Sequence, residues 1–104
     1  MRHTRTKKAG TLATGVHGRI DWHGRIPVAD VHAFIVERDG LGNLSLRASI
    51  ANANDYAIRQ SSLTFIVTVT HGEWRWPIVE ITKYADHALT ARLGAPQSSR
   101  GVHV

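Results

Sequence analysis

Two stretches of alternation constrain this chain more than any other feature in it. Leu44, Leu46, Ala48 and Ile50 alternate with Ser45, Arg47 and Ser49, and Leu63, Phe65, Val67 and Val69 alternate with Thr64, Thr68 and Thr70. A period of two belongs to a strand with one face on a core and the other in water. The second run is also rich in β-branched residues, which pack well on a pleated surface. Each of these strands needs a partner, so the rest of the chain is expected to supply more strands.

Residues 12–22 place Leu12, Val16, Ile20 and Trp22 on one face and His17, Arg19 and Asp21 on the other. Gly15 and Gly18 interrupt that run, which predicts a bulge, a bend or the close approach of another part of the chain. From Val31 to Val36 the sequence is almost continuously apolar, as in a barrel strand or one covered on both faces. Trp22-His23-Gly24-Arg25 and Thr70-His71-Gly72-Glu73 read as tight turns, because glycine accepts positive φ and histidine tolerates it. Asp39-Gly40-Leu41-Gly42-Asn43 is a further reversal.

Trp74 and Trp76 share a face, whereas Val79 and Ile81 take the opposite phase, so a bulge or an edge position is expected at Pro77. Between Ile50 and Leu63, Asn54 or Asp55 can cap one or two helical turns. Tyr84 to Leu93 suits either a helix stopped by Gly94 and Pro96 or a strand through Leu89, Ala91 and Leu93. The Asp86-His87 turn favours the strand, since it extends a meander already in progress.

These elements predict a mainly β fold: a small five- or six-stranded antiparallel meander, as an OB-like partly open barrel or a sandwich, with at most one or two short helices. The expected organisation is a basic N-terminal arm over 1–10, one β-rich domain over 11–94 and a flexible C-terminal tail over 95–104. A chain of 104 residues buries about two-thirds of its unfolded surface on folding, enough for one modest core and not for two domains. The absence of cysteine excludes disulfide staples, thiolate zinc sites, iron–sulfur clusters and a cysteine nucleophile. No apolar run approaches the roughly 20 residues that span a bilayer, and the basic start lacks the apolar segment of an export signal. The expectation is a soluble intracellular protein, cytoplasmic or carried in a virion, without a membrane partner.

Charge is concentrated at one end. Arg2, Arg5, Lys7 and Lys8 precede any acid and carry +4 of the formal +5, while the remaining nine cations face all eight acids. Attraction for a polyanion therefore rests on the arm.

The seven histidines invite a metal reading that spacing discourages. His17 and His23 share a strand face but stand about 20 Å apart along extended chain, and two ligands of one zinc each lie about 2 Å from it. Chelation would have to come from cross-strand pairs of these with His32 or His71. No metal or other cofactor is implied. Serines, histidines and aspartates occur without a nucleophile elbow, and Gly40-Leu41-Gly42 joins two strands instead of opening a helix, so it is a turn and not a phosphate loop. No catalytic residue is expected.

Trp74-Arg75-Trp76 is the most suggestive cluster: two indoles on one face can stack on bases while a guanidinium meets phosphate. The same tryptophans, with Trp22, can equally fill the core. The candidate nucleic-acid or partner-binding residues are thus Arg2, Arg5, Lys7, Lys8, Trp74, Arg75 and Trp76. The expected function is that of a non-enzymatic binding module acting on or within a nucleic-acid-containing assembly, its partner nucleic acid or a nucleoprotein complex. The alternatives are a protein-binding or homo-oligomeric assembly subunit such as a small virion component, a stoichiometric protein inhibitor, and a small histidine-dependent enzyme.

Overall fold

The computed structural model describes residues 9–98, and the cationic positions Arg2, Arg5, Lys7 and Lys8 lie outside them. The strands are β1 (Gly10–Gly15), β2 (Gly18–Trp22), β3 (Ile26–Arg38), β4 (Leu44–Ala51), β5 (Leu63–Val69), β6 (Gly72–Ala85), β7 (Ala88–Leu93) and β8 (Gln97–Ser98), with a single 3-10 turn at Ala57–Arg59. Six of them form a closed antiparallel barrel in the order β3-β2-β5-β6-β7-β4, completed by pairing of β4 with β3. It consists of two three-stranded meanders, β2-β3-β4 and β5-β6-β7, joined at two seams, β2 with β5 and β4 with β7.

The alternating runs set the faces of their strands, although on β5 Ile66, in the polar phase, is fully buried and Val69, in the apolar phase, is 40% exposed. Leu46 and Ile50 on β4, and Leu63 and Phe65 on β5, point into a core that also takes Ile20, Val28, Phe34, Val36, Trp76, Leu89 and Leu93. The ambiguous segment 84–93 is not a helix: it holds the end of β6, a turn at Asp86 and His87, both at positive φ, and the strand β7. That strand supplies the second seam and closes the barrel. His23 and Gly24 make the corresponding turn between β2 and β3. At the third site the turn residues are Thr70 and His71, one position earlier than expected, because Gly72 already pairs with Val69 as the first residue of β6.

Asn54 shapes the crossover between the meanders. Its side-chain oxygen accepts from the backbone N–H groups of Tyr56 and Ala57, and its carbonyl accepts from Ile58. The resulting turn drops Ala57 and Ile58 into the core at one end of the barrel.

The first strand departs most from its pattern. The chain breaks at Val16-His17, so one long strand becomes β1 and β2, both lying along the same edge of β3. Register slips between Thr11 and Ala13 and between Ile20 and Asp21 shift the pleat. As a result Val16, expected on the core face, is 63% exposed, whereas Asp21, expected in water, is 3% exposed. The bulge expected at Pro77 falls slightly later, between Ile78 and Glu80. Gln97 and Ser98, in the segment read as tail, pair with Arg75 and Trp74 of β6.

Gly15 and Gly18 serve as close-approach residues. A Cβ on Gly15 would stand 2.7 Å from the Phe34 ring, and one on Gly18 would stand 2.9 Å from the Phe65 ring and 3.1 Å from the Ile66 carbonyl oxygen. Gly18→Ala should therefore destabilise the fold by about 1–3 kcal/mol, since a packed ring and a strand carbonyl have little room to yield. At Gly40 a Cβ meets nothing within 4 Å, and Gly40→Ala should be neutral or stabilising by up to about 1 kcal/mol. Urea midpoints decide this: equal midpoints for the two variants would contradict the tight seating of β2.

Candidate functional site at the barrel mouth

The end of the barrel opposite the 3-10 turn is open, for a reason rooted in register. The seam between β2 and β5 spans only Arg19–Trp22 against Leu63–Ile66. Beyond it the two edges part: β1 continues along β3 and Val67–Val69 continues along β6. Between them lies a cleft of about 430 Å³, lined by Leu12, Ala13 and Thr14 from β1, Phe34, Val67, Val69, Trp74, Trp76 and Pro96. Thr14 contributes the sole side-chain polar group besides the two indole N–H groups. Leu12, Val69 and Trp74 are 44%, 40% and 40% exposed, so the rim is apolar and wet.

A row of rings runs from this rim into the core. Trp74 stacks on Trp76 at 6.2 Å, Trp76 on Phe65 at 5.6 Å, and Phe65 meets Phe34 edge-on at 5.0 Å. The two tryptophans read together in the sequence are thus separated in role. Trp76 is a core residue, 5% exposed, and Trp74 is its half-exposed neighbour at the mouth. The buried indole N–H of Trp76 has no hydrogen-bond partner, which costs about 1–3 kcal/mol for such a donor.

Arg75 is not part of this surface. Adjacent strand residues point to opposite faces, and Arg75 lies on the outside of the barrel in register with Ile66 and, one strand further, Arg19. There it donates to Glu73 at 2.8 Å; Glu73 also accepts from Arg19 at 3.1 Å, and Arg19 donates to Asp21 at 3.1 Å. Ile66 is fully buried beneath this four-residue network. One nucleotide cannot stack on Trp74 and also meet the Arg75 guanidinium, because a sheet stands between them. Trp74, Arg75 and Trp76 therefore do not share one surface: Trp74 opens on the cleft beside Leu12, Val67, Val69 and Pro96, Trp76 lies in the core and Arg75 is on the outer face. Alternation in the sequence marks the faces of those residues but not their depth along the barrel.

The described body offers little to a polyanion. Residues 9–98 contain all eight acids and eight of the 13 Lys and Arg residues. Arg19, Arg47, Arg75 and Arg92 each contact a carboxylate. Among the described residues no three His, Asp or Glu side chains gather as a metal site, and no helix is long and apolar enough to cross a membrane. A second groove of about 450 Å³ runs between residues 58–63 and the far half of β6. Its walls carry Arg59, Gln60, Glu80 and Lys83. No known protein family, curated protein or solved structure matches the chain.

The outer network is sensitive to pH in a defined direction. The hydrogen bond from Arg19 holds the Glu73 carboxyl below its ordinary value of 4.5; burial opposes this, and Arg75 adds to it. For Arg19, burial alone lowers the pKa, but the bonds to Asp21 and Glu73 outweigh it and raise it. A carboxyl with a depressed folded pKa stabilises the fold fully above its unfolded value and loses that contribution as pH falls through the folded one. Glu73→Gln should lower stability at pH 7 by no more than about 1 kcal/mol, as befits a partly exposed pair. The variant should then lose less than the parent on going to pH 3. Urea midpoints at both pH values test this, and identical acid losses would rule out Glu73 as a titrating part of the network.

Proposed function

We propose that this chain is a non-catalytic, protein-binding module whose contact surface is the apolar mouth of the barrel. The observation that carries this reading is the combination of Trp74, Leu12 and Val69 on one rim, left wet where the β2–β5 seam ends. Exposed apolar groups at a concave site are the ordinary mark of a binding surface. Half-exposed tryptophan is also the residue type most enriched among interface hot spots. The walls are aliphatic and aromatic with almost no polar side-chain groups, which suits the side chains of a protein segment better than the hydrogen-bonding edges of bases. Assembly subunits and stoichiometric inhibitors both work through surfaces of this kind.

A second reading, phosphate contact, is favoured by Arg2, Arg5, Lys7 and Lys8 alone. It is compatible with the first, since a basic arm and an apolar cleft can serve one nucleoprotein partner.

A displayed library of random short peptides, selected on the full chain and counter-selected on Trp74→Ala, tests the main reading. Enrichment of apolar sequences that bind the parent at least about tenfold more tightly is expected for a hot-spot residue. A library yielding only binders indifferent to Trp74 would overturn it. Titration with oligonucleotides across a salt series tests the second reading. Four arm contacts predict log–log slopes near about −3.6 for duplex or −2.8 for single strand, and a slope near zero removes it.

A further inference from the structure

We infer that the end of the barrel carrying the 3-10 turn binds a second copy of this chain, in a two-fold dimer that sets the cationic groove of each protomer on the acidic pocket of the other. The inference goes beyond the proposed function, since this surface lies at the end away from the mouth.

Over most of the described body, charges are neutralised where they stand. Arg19, Arg47, Arg75 and Arg92 pair with carboxylates, and Asp39 is satisfied within its own loop by Leu41 and Asn43. The groups left over are sorted by sign. Among the described residues Arg25, Arg59 and Lys83 are the Lys and Arg side chains without a bonded partner. Two of them, Arg59 and Lys83, line the groove between residues 58–63 and β6. The one acid in its lining, Glu80, is engaged by Arg92 at 3.2 Å.

Carboxylates outside any ion pair gather beside that groove. Asp55 and Asp86 line a pocket of about 450 Å³ with Asn52, His87 and Tyr84. Asn52 also donates to Asp30 at 2.7 Å, which brings a third carboxylate to the same end of the barrel. Tyr84 stands in the wall of both hollows and donates its hydroxyl hydrogen to Asp55. One aromatic side chain is thus the boundary between unpaired cations and unpaired acids.

A surface of one sign calls for a partner of the other, whereas a surface with both signs side by side is complementary to itself. A two-fold axis near Tyr84 carries Arg59 and Lys83 of each copy onto Asp55 and Asp86 of the other, so every attractive contact is made twice. An apolar anchor stands next to the axis. Tyr56 is 70% exposed, and the 3-10 hydrogen bond from the Arg59 N–H to the Tyr56 carbonyl, 3.2 Å, places the two side chains on one side of the turn. Exposed tyrosine is a residue type enriched in interfaces. Such a dimer leaves both mouths uncovered, one at each far end.

Sedimentation velocity of the full chain, from micromolar to submillimolar concentration, reads the association. The parent should dimerise at low salt, with a dissociation constant that rises about tenfold or more at high salt, because exposed pairs are screened. One variant combines Arg59→Glu with Lys83→Glu, and a second combines Asp30→Lys with Asp55→Lys. Asp86 is kept, since its positive φ suits aspartate better than lysine. Urea midpoints check that each variant folds. Each alone should dimerise at least about tenfold more weakly than the parent, because like charges then face each other. An equimolar mixture should recover the dimer, as the new glutamates of one variant meet the new lysines of the other and the native groups meet across the second contact. Should a reversed variant fail to fold, Arg59→Gln with Lys83→Gln carries the test, with a weaker dimer expected.

A parent that stays monomeric at low salt across the whole range would overturn the inference. So would a dimer that neither the reversed nor the neutral variants weaken, since it would lie on another surface. Weakening by both reversals without recovery on mixing would overturn the two-fold pairing of groove with pocket.

Discussion

The four-residue seam between β2 and β5 is the contact on which the rest of the structure depends. Each meander alone is a three-stranded sheet with an apolar face, and closure into a barrel is what covers both faces at once. The seam pairs Arg19–Trp22 with Leu63–Ile66, and it is sealed differently on its two sides. Inside, Ile20 and Phe65 are fully buried against Phe34 and Trp76. Outside, Ile66 is fully buried as well, beneath the ion pairs of Arg19, Asp21, Glu73 and Arg75. Burying a full aliphatic side chain contributes about 1.5–3 kcal/mol, more than the partly exposed pairs that Glu73 makes with Arg19 and Arg75. The charges therefore work chiefly as a lid over an apolar contact. The buried Asp21 oxygen Oδ1 that finds no partner fits that order of importance, since the lid tolerates an imperfect member.

The brevity of the seam produces the mouth. Had β1 and β2 been one straight strand, β5 would have had a partner along its whole length and Trp74 would have been covered. Instead the break at Val16-His17 turns Gly10–Gly15 along β3, and glycines at 15 and 18 let the Phe34 and Phe65 rings pass against the bare backbone. Fold and candidate site thus share one cause: the glycines that admit the aromatic core are those at which the edges separate.

Much of this was legible in the residues. The runs at 44–50 and 63–69, the His23-Gly24 turn and the Asp86-His87 turn fix five of the six barrel strands by pattern and turn chemistry. The Asn54 side chain announces the crossover. The first strand was not legible in phase, because two register slips within a dozen residues displace the pleat and no residue type marks them. The Arg19–Glu73 contact joins positions 54 apart in sequence, so nothing local could reveal that the pairs Arg19–Asp21 and Glu73–Arg75 form one network. Trp74 and Trp76 carry the same pattern signal, and what separates them is distance from the rim, a property of the closed barrel.

The most direct measurement is amide hydrogen exchange resolved by residue. The account predicts slow, near-global protection at 19–22 and 63–66. Exchange should be at least about a hundredfold faster at those alternate amides of β1 and of Val67–Val69 that face away from β3 and β6, since open edges are unprotected by any ladder. Protection at those edge amides equal to that of the seam would mean that the mouth is closed, and would contradict the account.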